Sequence, residues 1–346
     1  MSSKKIDETR DKAEQELKKL ERKIRKAYKD SYKEISKEWD EYMEKADKRL
    51  ENAQKEYNSI KKNGTAEEIA KAKQKLQKIK QNKILRDKEY REVLNKTTDK
   101  IAKANQTALD YANNIIPSMY AIGYSNPSEV YSVPKDIEKA MKSAFDIRDE
   151  HTIKRRIQEG DIELPNKKKR LKIPKDKRWN SKKINSSILQ GILKGESAKE
   201  IAKRLEPIVD NNKNAAIRNA RTLMTGAENQ GRLDRYRDLE KQGAVLKKVW
   251  IATGDGRTRD WHVEMDEQEV DIDKEFIDGL GNELMYPGDP GGAPETVYNC
   301  RCSMQSHVVG FRKSDGRIRY INHDRSNDNL QHRQEIQREK ERRAKH

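Results

Sequence analysis

The chain has 346 residues, 39% of them charged and only 33% hydrophobic, with a formal net charge of +17. So small an apolar share excludes one large globule and points to two or three units, part of them long helix burying a narrow stripe. It also excludes a membrane span, since no apolar run approaches ~20 residues, and two cysteines spaced i, i+2 exclude a disulfide scaffold.

The start, Met1-Ser2-Ser3-Lys4-Lys5, leads into charged helix with no signal-type apolar region, so a cytoplasmic, reducing setting is expected. The positive charge favours a polyanion partner, nucleic acid first.

Residues from about 10 to 62 contain no Pro or Gly. Leu17, Leu20, Ile24, Tyr28, Ile35, Trp39, Tyr42, Ala46, Leu50, Ala53, Tyr57 and Ile60 recur mostly in steps of three and four. That spacing predicts one long helix with a coiled-coil-like seam, about 75 Å in length. Acid-base pairs four apart, such as Glu14/Lys18 and Glu44/Lys48, line its other faces. Gly64 offers a left-handed stop, and Thr65 with Glu68 forms a capping box for a second helix over 66–113. Its seam is Ile69, Leu76, Ile79, Leu94, Ile101, Ala108, Ala112 and Ile115. A link this short predicts an antiparallel hairpin, closed by Pro117.

A Tyr-containing loop follows, then a short helix over about 135–147, then a basic stretch over 148–180 in which Lys167-Lys168-Lys169-Arg170 lies between Pro165 and Pro174. This stretch reads equally well as a solvated linker and as a phosphate-contacting arm. Lys71, Lys75 and Lys78 on the hairpin are the other candidates for nucleic-acid contact. From about 181 the pattern turns globular: a short helix ending at Gly195, a second opened by Ser197 with Glu200, and a third from about Ala215 to Gly243. Val245–Ile251 reads as a strand, Val308 and Val309 as the end of another, and the polar residues from Asn322 as a helical or disordered tail. The fold class is therefore α+β: a long N-terminal antiparallel helical hairpin plus a C-terminal mixed domain of helices and a small β-sheet. The expected divisions are 1–116 hairpin, 117–180 basic connection, 181–312 mixed domain and 313–346 charged tail.

The segment from Trp250 to Cys302 is dense in residues with directional chemistry. It holds both cysteines and two of the four tryptophans. On a strand, Cys300 and Cys302 would share one face, and with His262 and His307 near they would offer soft ligands suited to zinc. The alternative is a pair of small reduced thiols packed in a core. Asp255, Arg257, Arg259, His262 and Glu295 also suit a polar network in which Arg257 braces a carboxylate bidentately. Asp255, His262, Asp289 and Cys300 can be drawn as a metal-dependent hydrolase or nuclease site, but no nucleophile elbow, His-Glu-x-x-His or P-loop supports it. Gly254-Asp255-Gly256 is a hairpin signal before it is a phosphate loop.

Taken in order, the pieces form a set. Ala220-Arg221-Thr222, Asn229 and Gly231-Arg232 lead to Lys248-x-Trp250-x-x-Thr253-x-Asp255-x-Arg257-Thr258-Arg259-x-x-His262. Phe276, Pro287-Gly288-Asp289-Pro290, Glu295 and Asn299-Cys300-Arg301-Cys302 complete it. This set resembles the Mu F-like, or phage minor head (head morphogenesis), family of tailed bacteriophages, over roughly residues 185–310. Two positions depart from it: Leu223 stands where members often carry an acid, and Asp266-Glu267 where they often carry Asp-Gly.

The resemblance implies a virion component in few copies, associated with the portal vertex and procapsid. Its expected partners are portal protein, capsid or scaffold proteins and DNA, the last contacted without sequence readout in packaging or ejection. From the residues themselves no membrane partner, no enzymatic activity and no cofactor beyond the candidate zinc is expected. Some toxins fuse such a domain to ADP-ribosyltransferase or nuclease domains, and no domain of that kind is expected after residue 310.

Overall fold

The computed structural model describes residues 2–81, 88–125, 150–162, 164, 177–194, 196, 198–321 and 330–345. The helix expected over 135–147 and the run Lys167–Arg170 lie outside the described residues. The fold is α+β. Helices α1 (Ser2–Asn63), α2 (Ala66–Gln81), α3 (Lys88–Tyr124), α4 (Glu150–Glu159), α5 (Lys177–Leu193), α6 (Ala198–Lys203) and α7 (Glu206–Lys241) come first. Strand β1 (Ala244–Ile251) then opens a mixed region with α8 (Asp260–Glu264), β2 (Glu269–Asp271), β3 (Phe276–Ile277) and β4 (Glu283–Leu284). After α9 (Pro294–Val297) come β5 (Ser303–Arg312), β6 (Ile318–Tyr320) and α10 (Leu330–Ala344). No helix among the described residues is long and apolar enough to cross a membrane.

The chain forms two compact units. One comprises Met1–Glu21, Asp110–Leu171 and Ile217–His346; the other comprises Arg22–Leu109 and Lys172–Ala216. The continuous divisions expected at 116, 180 and 312 do not coincide with these units, because long helices pass through both and distant segments pack together.

The second unit is helical. The predicted seam of α1 is buried at Ile24, Tyr28, Ile35, Trp39, Tyr42, Ala46 and Ala53. Trp39 Nε1 donates to Thr97 at 2.8 Å, Arg49 pairs with Glu89 at 2.9 Å, and Lys75 of α2 reaches Glu56 at 2.8 Å. As positions rise along α1 their partners fall, which is the register of an antiparallel hairpin. The capping box also forms: Thr65 N donates to Glu68 at 2.8 Å and Glu68 N to Thr65 at 3.3 Å. Gly64, however, does not take the left-handed backbone. Glycine is needed there for space, since a Cβ would lie 2.7 Å from Ile60 O. Within this unit a buried polar chain runs from the Tyr28 hydroxyl to Asn105, then Asn212, then Asn180. Such a fully bonded network selects one arrangement of helices over others of similar apolar burial.

Pro117 does not end its helix: α3 continues through it to Tyr124. The missing N–H costs one hydrogen bond, while the two turns beyond it bury Met119, Tyr120, Ala121 and Tyr124. Burial of that size outweighs the lost bond. This end of α3 runs against α7 at glycines. Gly123 lies against the backbone of Glu228, and Gly231 against that of Tyr120.

In the first unit a four-stranded antiparallel sheet has the order β2-β1-β5-β6, with Trp250 opposite Met304 and Leu246 opposite Val308. Trp250, Met304, Leu246, Val308, Phe276, Leu233, Tyr236, Val263 and both cysteines share one core. The tail expected as helical or disordered is the helix α10, and its Ile336 is buried in that core. Gly254–Gly256 is a turn leading into α8 and not a hairpin, since β1 finds its partners in β2 and β5.

Lys248 of β1 is fully buried. Its Nζ donates to Met285 O at 2.8 Å and lies 5.0 Å from the Phe276 ring centre. Burial pushes its pKa down to about 8, against roughly 10.4 in the unfolded chain. The folded state thus binds the proton less well, and the penalty of holding it is relieved as pH rises from about 8 towards 10.4. Melting of the folded chain should therefore gain an upward alkaline trend in this window, and Lys248→Met should remove that trend. An identical pH profile for the two proteins would refute the assignment.

Candidate metal centre

Four polar residues of α7 organise the site. Thr222, Thr225, Asn229 and Arg232 follow one another at steps of three, four and three, so they lie along one helix face. Each binds the backbone of the segment around the cysteines. Thr222 Oγ1 accepts from Asn299 N at 2.9 Å. Thr225 Oγ1 donates to Cys300 O at 2.9 Å. Asn229 Nδ2 donates to Cys302 O at 3.3 Å and to Pro287 O at 3.1 Å. Arg232 Nη1 donates to Met304 O at 3.0 Å. The helix therefore reads positions 299, 300, 302 and 304 in order. The pairs Arg221-Thr222 and Gly231-Arg232 and the residue Asn229, legible as a motif, owe their spacing to this ladder.

Residues 299–302 are not strand, contrary to the expectation that placed the cysteines on one. Asn299 has a left-handed backbone, φ 58°, as its short amide side chain tolerates. The chain turns there, and the ladder then aims both thiols inward. The turn at Pro287–Pro290 closes the other side. Gly288 has φ 81°, and its backbone meets that of Gly226 so closely that a Cβ on Gly226 would lie 2.6 Å from Gly288 O. Asp289 holds this turn by accepting from Met285 N at 3.0 Å and Gly291 N at 2.7 Å.

His262 enters from α8. Its ring packs edge-on against Trp250, centroids 5.3 Å apart, and its Nδ1 faces Cys300 Sγ at 3.7 Å and Cys302 Sγ at 3.6 Å. The three ligand atoms lie within 4.8 Å of one another, and all three residues are buried. His262 Nε2 has no hydrogen-bond partner among the described residues, nor has Thr253 Oγ1. The two thiols hold their protons unequally. A hydrogen bond from Cys300 favours the Cys302 thiolate, with His262 beside it, and donating that bond, together with burial, raises Cys300. His307, the other histidine expected near the pair, instead faces Glu269 at 3.3 Å.

The carboxylate brace exists, but Arg257 is not its arm. Arg301, between the cysteines, donates to Asp255 from both terminal guanidinium nitrogens, Nη1 and Nη2, at 2.5 Å. Arg257 is exposed and reaches Asp255 only at 3.4 Å. Asp255 also accepts from Arg257 N at 3.0 Å and Thr258 Oγ1 at 3.2 Å. The Arg301 bond, with these two, holds its pKa far below the usual carboxylate range. Arg259 donates to Tyr298 O. Glu295 is exposed in the first turn of α9 and takes no part in the brace. Lys71 pairs with Glu67 at 2.9 Å, Lys75 with Glu56, and Lys78 is exposed.

What these residues define is a small α+β domain whose polar signature side chains bind its own backbone. Residues 182–305 match the family described as Phage Mu protein F like protein. The minor head protein GP7 of Bacillus phage SPP1 is 25% identical over 223 residues, 62% of this chain and 70% of that protein. The NAD(+)–arginine ADP-ribosyltransferase EFV of Enterococcus faecalis is 34% identical over 128 residues, 37% of this chain and 26% of that protein. The chain thus spans about a quarter of that relative's length. No solved structure matches. Residues 182–305 thus carry a domain of the Mu F-like kind, and the chain is similar to a phage minor head protein.

Proposed function

We propose that this chain is a non-catalytic minor component of a tailed-phage head, located at the portal vertex, where it binds portal and neighbouring shell or scaffold proteins during assembly. The observation that carries this reading is the ladder from Thr222 to Arg232. Side chains that a hydrolase would direct at a substrate are here bonded to the backbone at 299–304, as a docking module that must keep its shape requires. The reading also fits the printed name of the SPP1 relative, a minor head protein. Quantitative mass spectrometry of purified procapsids and full heads is expected to find the chain in few copies per portal ring. Its absence from both particles would end the proposal.

The DNA role rests on charge. Residues 165–183 contain ten Lys and Arg against one acid, Asp176, a net of +9 within the chain's +17. Such a segment binds phosphates without reading bases, and its affinity falls steeply with salt. Gel-shift titration is expected to show binding to any duplex at low salt. Replacing Lys167, Lys168, Lys169 and Arg170 with Gln should flatten the slope of log K against log salt by roughly 3 to 4. An unchanged slope would place the contact elsewhere, and no binding at low salt would remove DNA from the partners.

A further inference from the structure

We propose that His262 Nδ1, Cys300 Sγ and Cys302 Sγ form a three-ligand site for a zinc-class divalent cation that clips the head domain together. The geometry argues first. Both sulfurs face one nitrogen, at 3.7 and 3.6 Å. An imidazole nitrogen has one lone pair or one proton, so it can hydrogen-bond to only one of two sulfurs placed alike. One cation can bind all three atoms. With Zn–S near 2.3 Å and Zn–N near 2.0–2.1 Å, tetrahedral coordination sets each S···N edge at about 3.6 Å. The observed separations already have that size.

The donor set argues second. Two sulfurs and one imidazole suit a borderline-soft ion such as Zn²⁺ and not Mg²⁺ or Ca²⁺, which take oxygen.

Preorganisation argues third. The carbonyls of both cysteines are fixed by Thr225 and Asn229, and the His262 ring is held against Trp250. These anchors hold the ligand side chains in place, which lowers the ordering cost of binding. A fourth ligand has access. A cavity of about 340 Å³ is lined by Thr253, Arg301, Cys302 and Ser303, and the unpartnered hydroxyl of Thr253 is suited to hold a bound water. The cation would join segments 38 residues apart in sequence, His262 to Cys300. Its role is therefore structural, coupling stability to metal and to the reduced state of the thiols.

The test uses the full wild-type chain, purified with reductant, stripped by a chelator and titrated with Co²⁺. The expected result is one cobalt per chain, with thiolate-to-cobalt charge-transfer and intense tetrahedral d–d bands, displaced by Zn²⁺. Chelation should lower the melting temperature and make both thiols reactive to Ellman's reagent, and Zn²⁺ should restore both properties. Cys302→Ser should abolish the charge-transfer band or reduce affinity at least 100-fold. Should that variant not fold, the wild-type titration decides alone. A folded, fully reduced wild-type chain that binds neither ion, with melting indifferent to chelator, overturns the proposal. So does a Cys300–Cys302 disulfide that persists in reductant and excludes metal.

Discussion

Gly231→Ala is expected to destabilise the chain by about 3 kcal/mol or more, the upper end of what overpacking costs. The sign is the informative part. In an ordinary helix interior this change would stabilise by roughly 1 kcal/mol, because alanine loses less backbone entropy. Here a Cβ on residue 231 would lie 2.2 Å from Tyr120 O and 2.9 Å from Tyr124 N, while one on Gly123 would lie 1.9 Å from Glu228 O. The obstacles are backbone atoms, which cannot swing aside, so α3 and α7 must separate. Separation strains what the crossing holds together: Tyr120 OH to Asp234 at 2.8 Å, Tyr124 OH to Asp238 at 2.5 Å, and the stacked pair of tyrosine rings. Gly123→Ala should be as damaging. Thermal or denaturant unfolding of the two variants checks this. A variant as stable as wild type, or more so, would mean the helices do not cross at these glycines.

The same crossing shows why part of the fold was legible in the sequence and part was not. The seam of α1 could be read because burial at Ile24, Ile35 and Trp39 follows from the helix's own period. The Thr65–Glu68 cap could be read because both partners lie within one turn. The helix beyond Pro117 could not. Proline's cost is local and visible, whereas the burial of Tyr120 and Tyr124 that offsets it depends on α7, more than a hundred residues away. The split into two units was hidden for a similar reason. Asn105, Asn180 and Asn212 read singly as surface residues, and only their mutual bonding makes them core.

At the site, the cysteines and His262 were found by residue type, because few chemistries use them. Their framework was missed, although its signal was present. Thr222, Thr225, Asn229 and Arg232 repeat at helical spacing on a helix with little apolar contrast between faces, and a polar stripe of that period needs a buried backbone to bind. Arg257 and Arg301 could not be ranked in advance. Both lie near Asp255 in sequence or in reasonable folds, and in this fold Arg301 takes it bidentately while the Arg257 side chain stays at 3.4 Å.

Arg301→Ala is therefore expected to lower stability by about 2 kcal/mol, and Arg257→Ala by less than about 0.5 kcal/mol. A fully buried pair broken on one side costs about 3–5 kcal/mol. The figure for Arg301 is reduced because its side chain is 21% exposed and that of Asp255 is 36% exposed, so water screens the pair. The pH dependence identifies the cause. Asp255 ionises more readily folded than unfolded, chiefly through the Arg301 hydrogen bonds. Its contribution is complete above the unfolded value, near 3.9, and is lost as pH falls below it towards the folded value. The stability gap between wild type and Arg301→Ala should accordingly stay constant from about pH 5 to 8 and narrow below about pH 4. Arg301 also lies between Cys300 and Cys302, so its loss should loosen both sulfurs and weaken cobalt affinity about 10- to 100-fold, as loss of a supporting group does at other metal sites. Two results would contradict this account: equal melting for the two arginine variants, or a gap that does not change with acid. Either would show that the Asp255 brace does not hold the cysteine segment, and that the ladder from α7 suffices alone.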